Sequence, residues 1–374
     1  MDRRRLLIGL TALATLPVAC QSNPDDALRL AAAKGGVSPQ MLKNFKATSS
    51  NTVPVRVTTR SSLVDLFQQL QQWHQSASDS EANVSDQSID WVALSDYWLL
   101  PAIAQKLITP LQKYDELPWD TLSPDWLTLL RRDEQGFLAS SGAIWGTPYR
   151  WEHLMMVYDR RAFAQFGWKP TSWADLLRPE LQQRFSLPDH PRLALGILLK
   201  ALNYSANDLD PAAHADVMAA VDTLRSQVKV YATSTYLQAL IIGDLALGVG
   251  WSRDIQPLLS RYRYLEAVAP LPGTLLSADV WVRPNVQPGS NDSQAVRPVE
   301  QQWLTYWWQP DVVESLWVLS QALSPRLLSP RAEQTAAIVL PSAEQLQQSE
   351  FVEPLPPSAI ASYDELWRQL RRGK

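Results

Sequence analysis

The residues able to make or break bonds are few in this chain, and their spacing assembles no reaction centre. His74, His153, His190 and His214 fall at intervals unsuited to shared metal ligation. The single cysteine, Cys20, closes an apolar leader, so no thiol is left for a structural zinc site or a disulfide. There is no G-x-S-x-G elbow, H-E-x-x-H pair, P-loop or dinucleotide G-x-G-x-x-G. Nor does any local spacing set two carboxylates together as an acid–base pair. These absences point away from an enzyme and toward a chain that uses no cofactor and no metal. What remains is recognition chemistry: arginine forks, which suit carboxylates and phosphates, and aromatic faces, which suit alkyl chains and cations. Most of the sixteen tryptophans are expected in cores and at lobe interfaces, the rest as stacking surfaces for a ligand.

Recognition groups need a scaffold, and the apolar periodicity supplies one. Val53, Val55 and Val57 alternate as a strand, Thr58-Thr59-Arg60 follow as a loop, and Leu63, Leu66, Phe67, Leu70 and Trp73 recur at helical spacing. Ser62 and Asp65 form a capping box ahead of that helix. The unit repeats as a strand at Ile89 to Leu94, a loop at Ser95-Asp96-Tyr97, and a helix through Leu99, Ile103 and Leu107 with Pro101 in its first turn. Strand–loop–helix repeats predict an α/β fold with a mostly parallel sheet flanked by helices. Ligands of such sheets bind beyond the carboxyl ends of the strands, which makes Thr59, Arg60, Ser95 and Tyr97 candidates to meet one.

Ala143 to Asp159 reads as extended, and its run through Tyr149, Arg150 and Trp151 is expected to cross into a second lobe. Helical stripes follow at Trp173 to Leu177, Ala194 to Leu202 and Ala213 to Leu224. Ile241 to Trp251 reads as a helix end running into a buried strand, and Asp279 to Val282 as a return strand. Trp303 to Trp317 is a helical stretch broken at Pro310, and Ser358 to Arg371 is the last helix.

Ahead of this scaffold stand Arg3, Arg4 and Arg5 and an apolar run from Leu6 to Val18, the pattern of an export signal, here of twin-arginine type. Leu16-Pro17-Val18-Ala19-Cys20 looks like a bacterial lipobox, with Cys20 as the lipidated residue. Residues 1–20 are therefore expected as a signal peptide and 21–51 as a polar tether, in which Ala27 to Ala33 could form a short helix. This places the working part in the periplasm or cell envelope, anchored to the membrane. The remaining length, about 350 residues, suits two domains. With 46% apolar and 19% charged residues the chain is globular. A net charge of −4 with mixed signs argues against nucleic acid as a partner.

Four stretches carry a resemblance. They are Thr171-Ser172-Trp173-Ala174-Asp175-Leu176 with Pro179-Glu180, Gly243 to Gly248 before Trp251, Asp90 to Tyr97, and Trp303 to Asp311. Together they resemble the extracellular (periplasmic) solute-binding proteins of ABC importers, closest to the spermidine/putrescine-binding branch. The resemblance implies a two-lobed, periplasmic-binding-protein-like fold of type II, joined by crossover strands. On that pattern 52–150 with 278–325 make the first lobe and 151–277 with 326–374 the second. It implies capture of a small solute, a polyamine by default, for an ABC permease, by a receptor acting as a monomer. Carried over residue by residue, it gives Ser95 and Tyr97 from the first lobe, Trp251 from the second, and Asp279 near the return crossover. Tyr97 and Trp251 would face an alkyl chain or cation, Asp279 would pair an ammonium, and Ser95 would make one hydrogen bond.

The departures bear on the ligand. The branch's acidic pair falls on His190 and Leu193, an expected aromatic falls on Ser277, and Thr58, Thr59 and Arg60 stand where aromatics follow the opening strand. A buried ammonium without a counter-charge costs several kcal/mol. Arg60, Arg150, Arg192 and Arg253 all lie on segments expected near the cleft, and two or more pointing inward would select an anionic or zwitterionic solute. A lipoprotein that kept the fold for sensing or scaffolding is the alternative, separable by a neighbouring permease gene.

Overall fold

A computed structural model describes residues 27–48, 53–78, 89–111, 117–285, 296–329 and 339–372. The expected signal peptide, the twin-arginine motif and Cys20 lie outside these residues.

The first strand, β1 (Leu28–Ala33), lies between β2 (Val55–Arg60) and β3 (Trp91–Ser95) and runs parallel to both. After β4 (Ile108–Thr109) and the small hairpin β5 (Arg131–Arg132) with β6 (Ala143–Ile144), the long strand β7 (Thr147–Asp159) begins. Next come β8 (Phe185–Leu187), β9 (Val228–Tyr231), β10 (Leu247–Trp251), β11 (Leu265–Val268), the second long strand β12 (Leu275–Pro284) and β13 (Glu350–Phe351). The main path of the sheet is β2-β1-β3-β12-β7-β10-β8-β9. Its outer portions, β2-β1-β3 and β10-β8-β9, are parallel, while β12 and β7 run antiparallel in the middle.

β7 changes partners along its length. Thr147 to His153 pair with β12, and Leu154 to Asp159 pair with β10 and β11. The buried side chains divide at the same point. One core takes Leu28 to Trp151 with Leu276 to Leu328; the others take Leu154 to Leu275 with the last helix, Pro357–Leu370. Two α/β cores are thus joined by crossing strands, with helices such as Leu63–Ser78 and Pro191–Ala201 on the flanks.

Several expectations hold at the level of elements. Ser62 and Asp65 exchange their two capping hydrogen bonds, each 3.1 Å. The late helical stretch breaks into Pro298–Tyr306 and Pro310–Ser320. Thr171 to Leu176 turns out to be a structural cap. Ser172 and Asp175 form a capping box around a short 3-10 turn, and the fully buried Trp173 donates its indole N–H to the Gly273 carbonyl at 2.9 Å.

The tether expectation fails over 27–48. Ala27 to Ala33 is neither tether nor helix but the buried strand β1, and Pro39–Thr48 is a helix that adds Met41 and Phe45 to the first core. Leu-Arg-Leu-Ala-Ala-Ala has high intrinsic helix preference. Flanked by strands and buried on both faces apart from the half-buried Arg29, the segment shows no apolar–polar alternation beyond Leu30, and that environment outweighs propensity.

Candidate functional site

The strands that join the cores also bring together the charged groups nearest their junction. Asp279 on β12 stands directly opposite Ser95 on β3 and Arg150 on β7. Directly opposed residues share one face of a sheet, so the three converge. Arg150 Nε and Nη2 each approach Asp279 Oδ2 to 2.5 Å, and the two side chains are only 5% and 7% exposed. Arg150 Nη1 also donates to the Gly35 carbonyl at 3.4 Å. Burial works most strongly, to lower the Arg150 pKa, but the Asp279 carboxylate together with Tyr149 and Glu152 outweighs it and holds the guanidinium above its ordinary value.

Glu152, two residues along β7, and Arg253, in the first turn of the helix Ser252–Arg261, complete the cluster. Arg253 Nε lies 3.6 Å from Glu152 Oε2, and its Nη1 lies 3.7 Å from Asp279 Oδ2. Burial pushes the Glu152 carboxyl up to about 7, against the pull of Arg253. The Arg253 pKa is raised, first by Glu152. These four residues, with Trp151, Ser277 and Ala322, ring a narrow gap at the crossover.

Beyond the gap lies a larger space. Asp96 Oδ1 accepts hydrogen bonds from Ser95 Oγ at 3.1 Å, Ser277 Oγ at 3.0 Å and the Ala278 N–H at 3.1 Å. Burial nonetheless raises its pKa. Asp96 also borders a cavity of about 390 Å³ set between the two cores. Tyr97, Trp98 and Arg132 face it from one side, His190 from the other, and Val352 to Leu355 from the C-terminal segment. Tyr97 and His190 meet edge-on across it, ring centroids 5.4 Å apart. Burial, then Arg192, lowers the His190 pKa, which favours a neutral ring.

The structure brings Ser95, Arg150 and Asp279 together and sets Tyr97 on the adjoining cavity. The Ser95 hydroxyl is already engaged, accepting from the Tyr97 N–H at the start of a 3-10 turn. Trp251 is half-buried against the second core, two residues before Arg253, and does not line the cavity. Arg60 is displaced from the site. Because β1 is interposed, β2 is the edge strand, and Arg60 binds Gln69 Oε1 through Nε and Nη2 at 3.2 and 2.8 Å. The loop that follows the true opening strand is therefore Lys34-Gly35-Gly36, not Thr58-Thr59-Arg60. Arg192 does line the large cavity, as expected near the cleft, but it is buried there and donates to the Ala206 and Glu353 carbonyls and to Asn207, binding the C-terminal segment to the second core. Glu152 and the 352–355 wall went unsuspected in the sequence. Among the described residues no cluster of histidines, cysteines and carboxylates is placed to hold a metal, and no helix is long and apolar enough to cross a membrane.

Comparison with known proteins agrees with this architecture. Among curated proteins, a putrescine/cadaverine-binding protein of Pseudomonas aeruginosa is 24% identical over 136 residues, which cover 34% of this chain and only 38% of that protein. A spermidine/putrescine-binding periplasmic protein of Haemophilus influenzae is 22% identical over 290 residues, 76% of this chain and 75% of the relative. Among solved structures, a spermidine/putrescine ABC transporter substrate-binding protein from Streptococcus pneumoniae superposes with a TM-score of 0.73. It does so at 19% identity, over 92% of this chain and 98% of that one. The family model for bacterial extracellular solute-binding proteins matches residues 40–337, and the chain belongs to that family.

Proposed function

We propose that this solute-binding protein captures a small molecule between its two cores and hands it, chemically unchanged, to an ABC-type permease in the membrane. One observation carries the reading. Two separate cores are joined through β7 and β12, and a cavity of about 390 Å³ opens to both of them. Two bodies on a two-strand joint can close around a guest by small backbone changes at the crossing. Export by the leader, lipidation at Cys20 and action as a monomer complete the proposal. Polyamines are the first solutes to try, because the relatives' names specify putrescine, cadaverine and spermidine.

The test has two parts. Protein purified without denaturation is unfolded, and any released small molecule is identified by mass spectrometry. That molecule is then added back while small-angle scattering records the radius of gyration. The proposal expects a stoichiometric solute, recovered intact, that compacts the protein on return. A solute recovered in altered form, or one whose return leaves the scattering curve unchanged, overturns it.

A further inference from the structure

Resting on that capture reading, we propose that residues 345–355 form an arm carried by the second core, which slides over the first core as the two close and brings its 352–355 wall onto the solute. Glu350 is the residue that positions it. Glu350 Oε2 accepts from the buried Lys200 ammonium at 3.0 Å and from the Ala206 N–H at 2.9 Å, and Oε1 accepts from Ser205 Oγ at 2.5 Å. Burial works to raise its pKa, but these three partners hold it below the ordinary value, so the bonds are made by a carboxylate. Further ties lead to the same core. Lys200 donates to the Gln348 carbonyl at 2.6 Å and Gln345 Nε2 to the Ala269 carbonyl at 2.6 Å. Asn207 donates to the Phe351 carbonyl at 2.9 Å and accepts from the Glu353 N–H at 3.0 Å.

Toward the first core the arm is seated differently. β13 pairs with Leu275 and Leu276 of β12, the point where β12 passes from one core to the other. Beyond that pairing the arm offers apolar groups: Leu346, and Phe351 against Trp126 with ring centroids 5.5 Å apart. Apolar contact has no preferred direction, so it can slide where hydrogen bonds would have to break. There is also room. A second cavity of about 210 Å³ separates the arm from the helix Asp125–Leu130, with Leu129, Leu138 and Leu328 on one side and Leu346 and Phe351 on the other. A close-packed interface would leave no such space. Glu353 borders this cavity and the large one alike, which makes the arm the partition between them. Movement of the arm therefore changes both volumes at once.

Hydrogen–deuterium exchange of the full chain, with no solute added, tests the attachment. Glu350→Gln should speed exchange in 349–355 and 203–208 about tenfold or more, the effect of weakening charged hydrogen bonds, and leave 126–132 unchanged. Phe351→Ala, which removes the contact with Trp126, should leave 349–355 protected. An arm released by Phe351→Ala and not by Glu350→Gln overturns the proposal. Small-angle scattering tests the movement. Leu138→Trp, filling the small cavity from the first-core side, should press the arm toward the solute cavity and lower the radius of gyration, with exchange in 349–355 as before; Leu138→Phe takes its place if the tryptophan variant does not fold. An unchanged radius in the folded variant overturns the movement. Both measurements are made without solute, so either failure leaves capture standing, whereas failure to recover a native solute overturns capture and leaves the attachment of the arm intact.

Discussion

Replacing Asp279 by alanine removes the one close counter-charge of a guanidinium that the fold keeps almost entirely from water. Arg150 would be left with a single 3.4 Å bond to the Gly35 carbonyl. Breaking a buried pair from one side in this way costs about 3–5 kcal/mol, which for domains of this size corresponds to roughly 6–20 °C in melting temperature. The reverse truncation, Arg150→Met, should cost less. Asp279 then keeps a neighbour 3.7 Å away in Arg253, whose stem is 31% exposed and free to swing in. The double substitution, Arg150→Met with Asp279→Leu, removes both charges and should return stability to within about 1 kcal/mol of the unaltered chain or above it. Urea unfolding followed by tryptophan fluorescence reads all four proteins, with an unchanged slope confirming that only stability has moved. The reasoning is refuted if Asp279→Ala costs less than about 1 kcal/mol, or if the double variant is as unstable as the sum of the singles.

Neighbouring residues on β7 carry opposite pH dependences. Glu152 has its pKa raised from 4.5 to about 7 by burial. Its contribution to stability is complete below pH 4.5 and is lost as pH rises through about 7, at most roughly 3 kcal/mol. Subtracting the stability curve of Glu152→Gln from that of the unaltered protein should therefore give a falling line over this window; a flat difference counts against the assignment. His153 is fully buried between the Leu154 and Val339 carbonyls, and burial lowers its pKa from 6.5 to about 4. Its contribution is present above pH 6.5 and lost as pH falls through about 4, so His153→Gln should flatten the acid limb of the curve, with an unaltered limb as the contrary result. A methyl group on Gly250 of β10 would collide with the buried Tyr236 phenol. Gly250→Ala should cost about 1–3 kcal/mol in thermal melts, and a neutral effect would show that the ring can move aside.

The element pattern was legible where apolar residues recur at a period that only one structure satisfies. Leu63 to Trp73 could bury one face only as a helix, and the glycine-broken run up to Trp251 only as a strand behind a helix end. β1 was not legible, because a strand covered on both faces loses its alternation and Leu-Arg-Leu-Ala-Ala-Ala then resembles a helix former. With β1 taken as a helix, β2 becomes the neighbour of β3 and Arg60 falls one strand too far inward. Asp279 and Arg150 were both singled out, yet as independent ligand contacts; their bond joins residues 129 positions apart and depends on the register of β7 against β12. Glu152 carried no signal, since its raised pKa comes first from burial and then from groups on two other segments, Asp279 on β12 and Asp254 on the helix after β10.

Local periodicity, capping residues and a handful of family stretches were enough, in the linear chain, to specify two α/β halves and the family to which they belong. Which charges cancel was decided only when β3, β12, β7 and the helix after β10 came side by side. Sequence spacing determines what a residue's near neighbours are. A buried charge answers to whatever the fold places within a few ångströms of it, and that placement is a property of the assembled sheet.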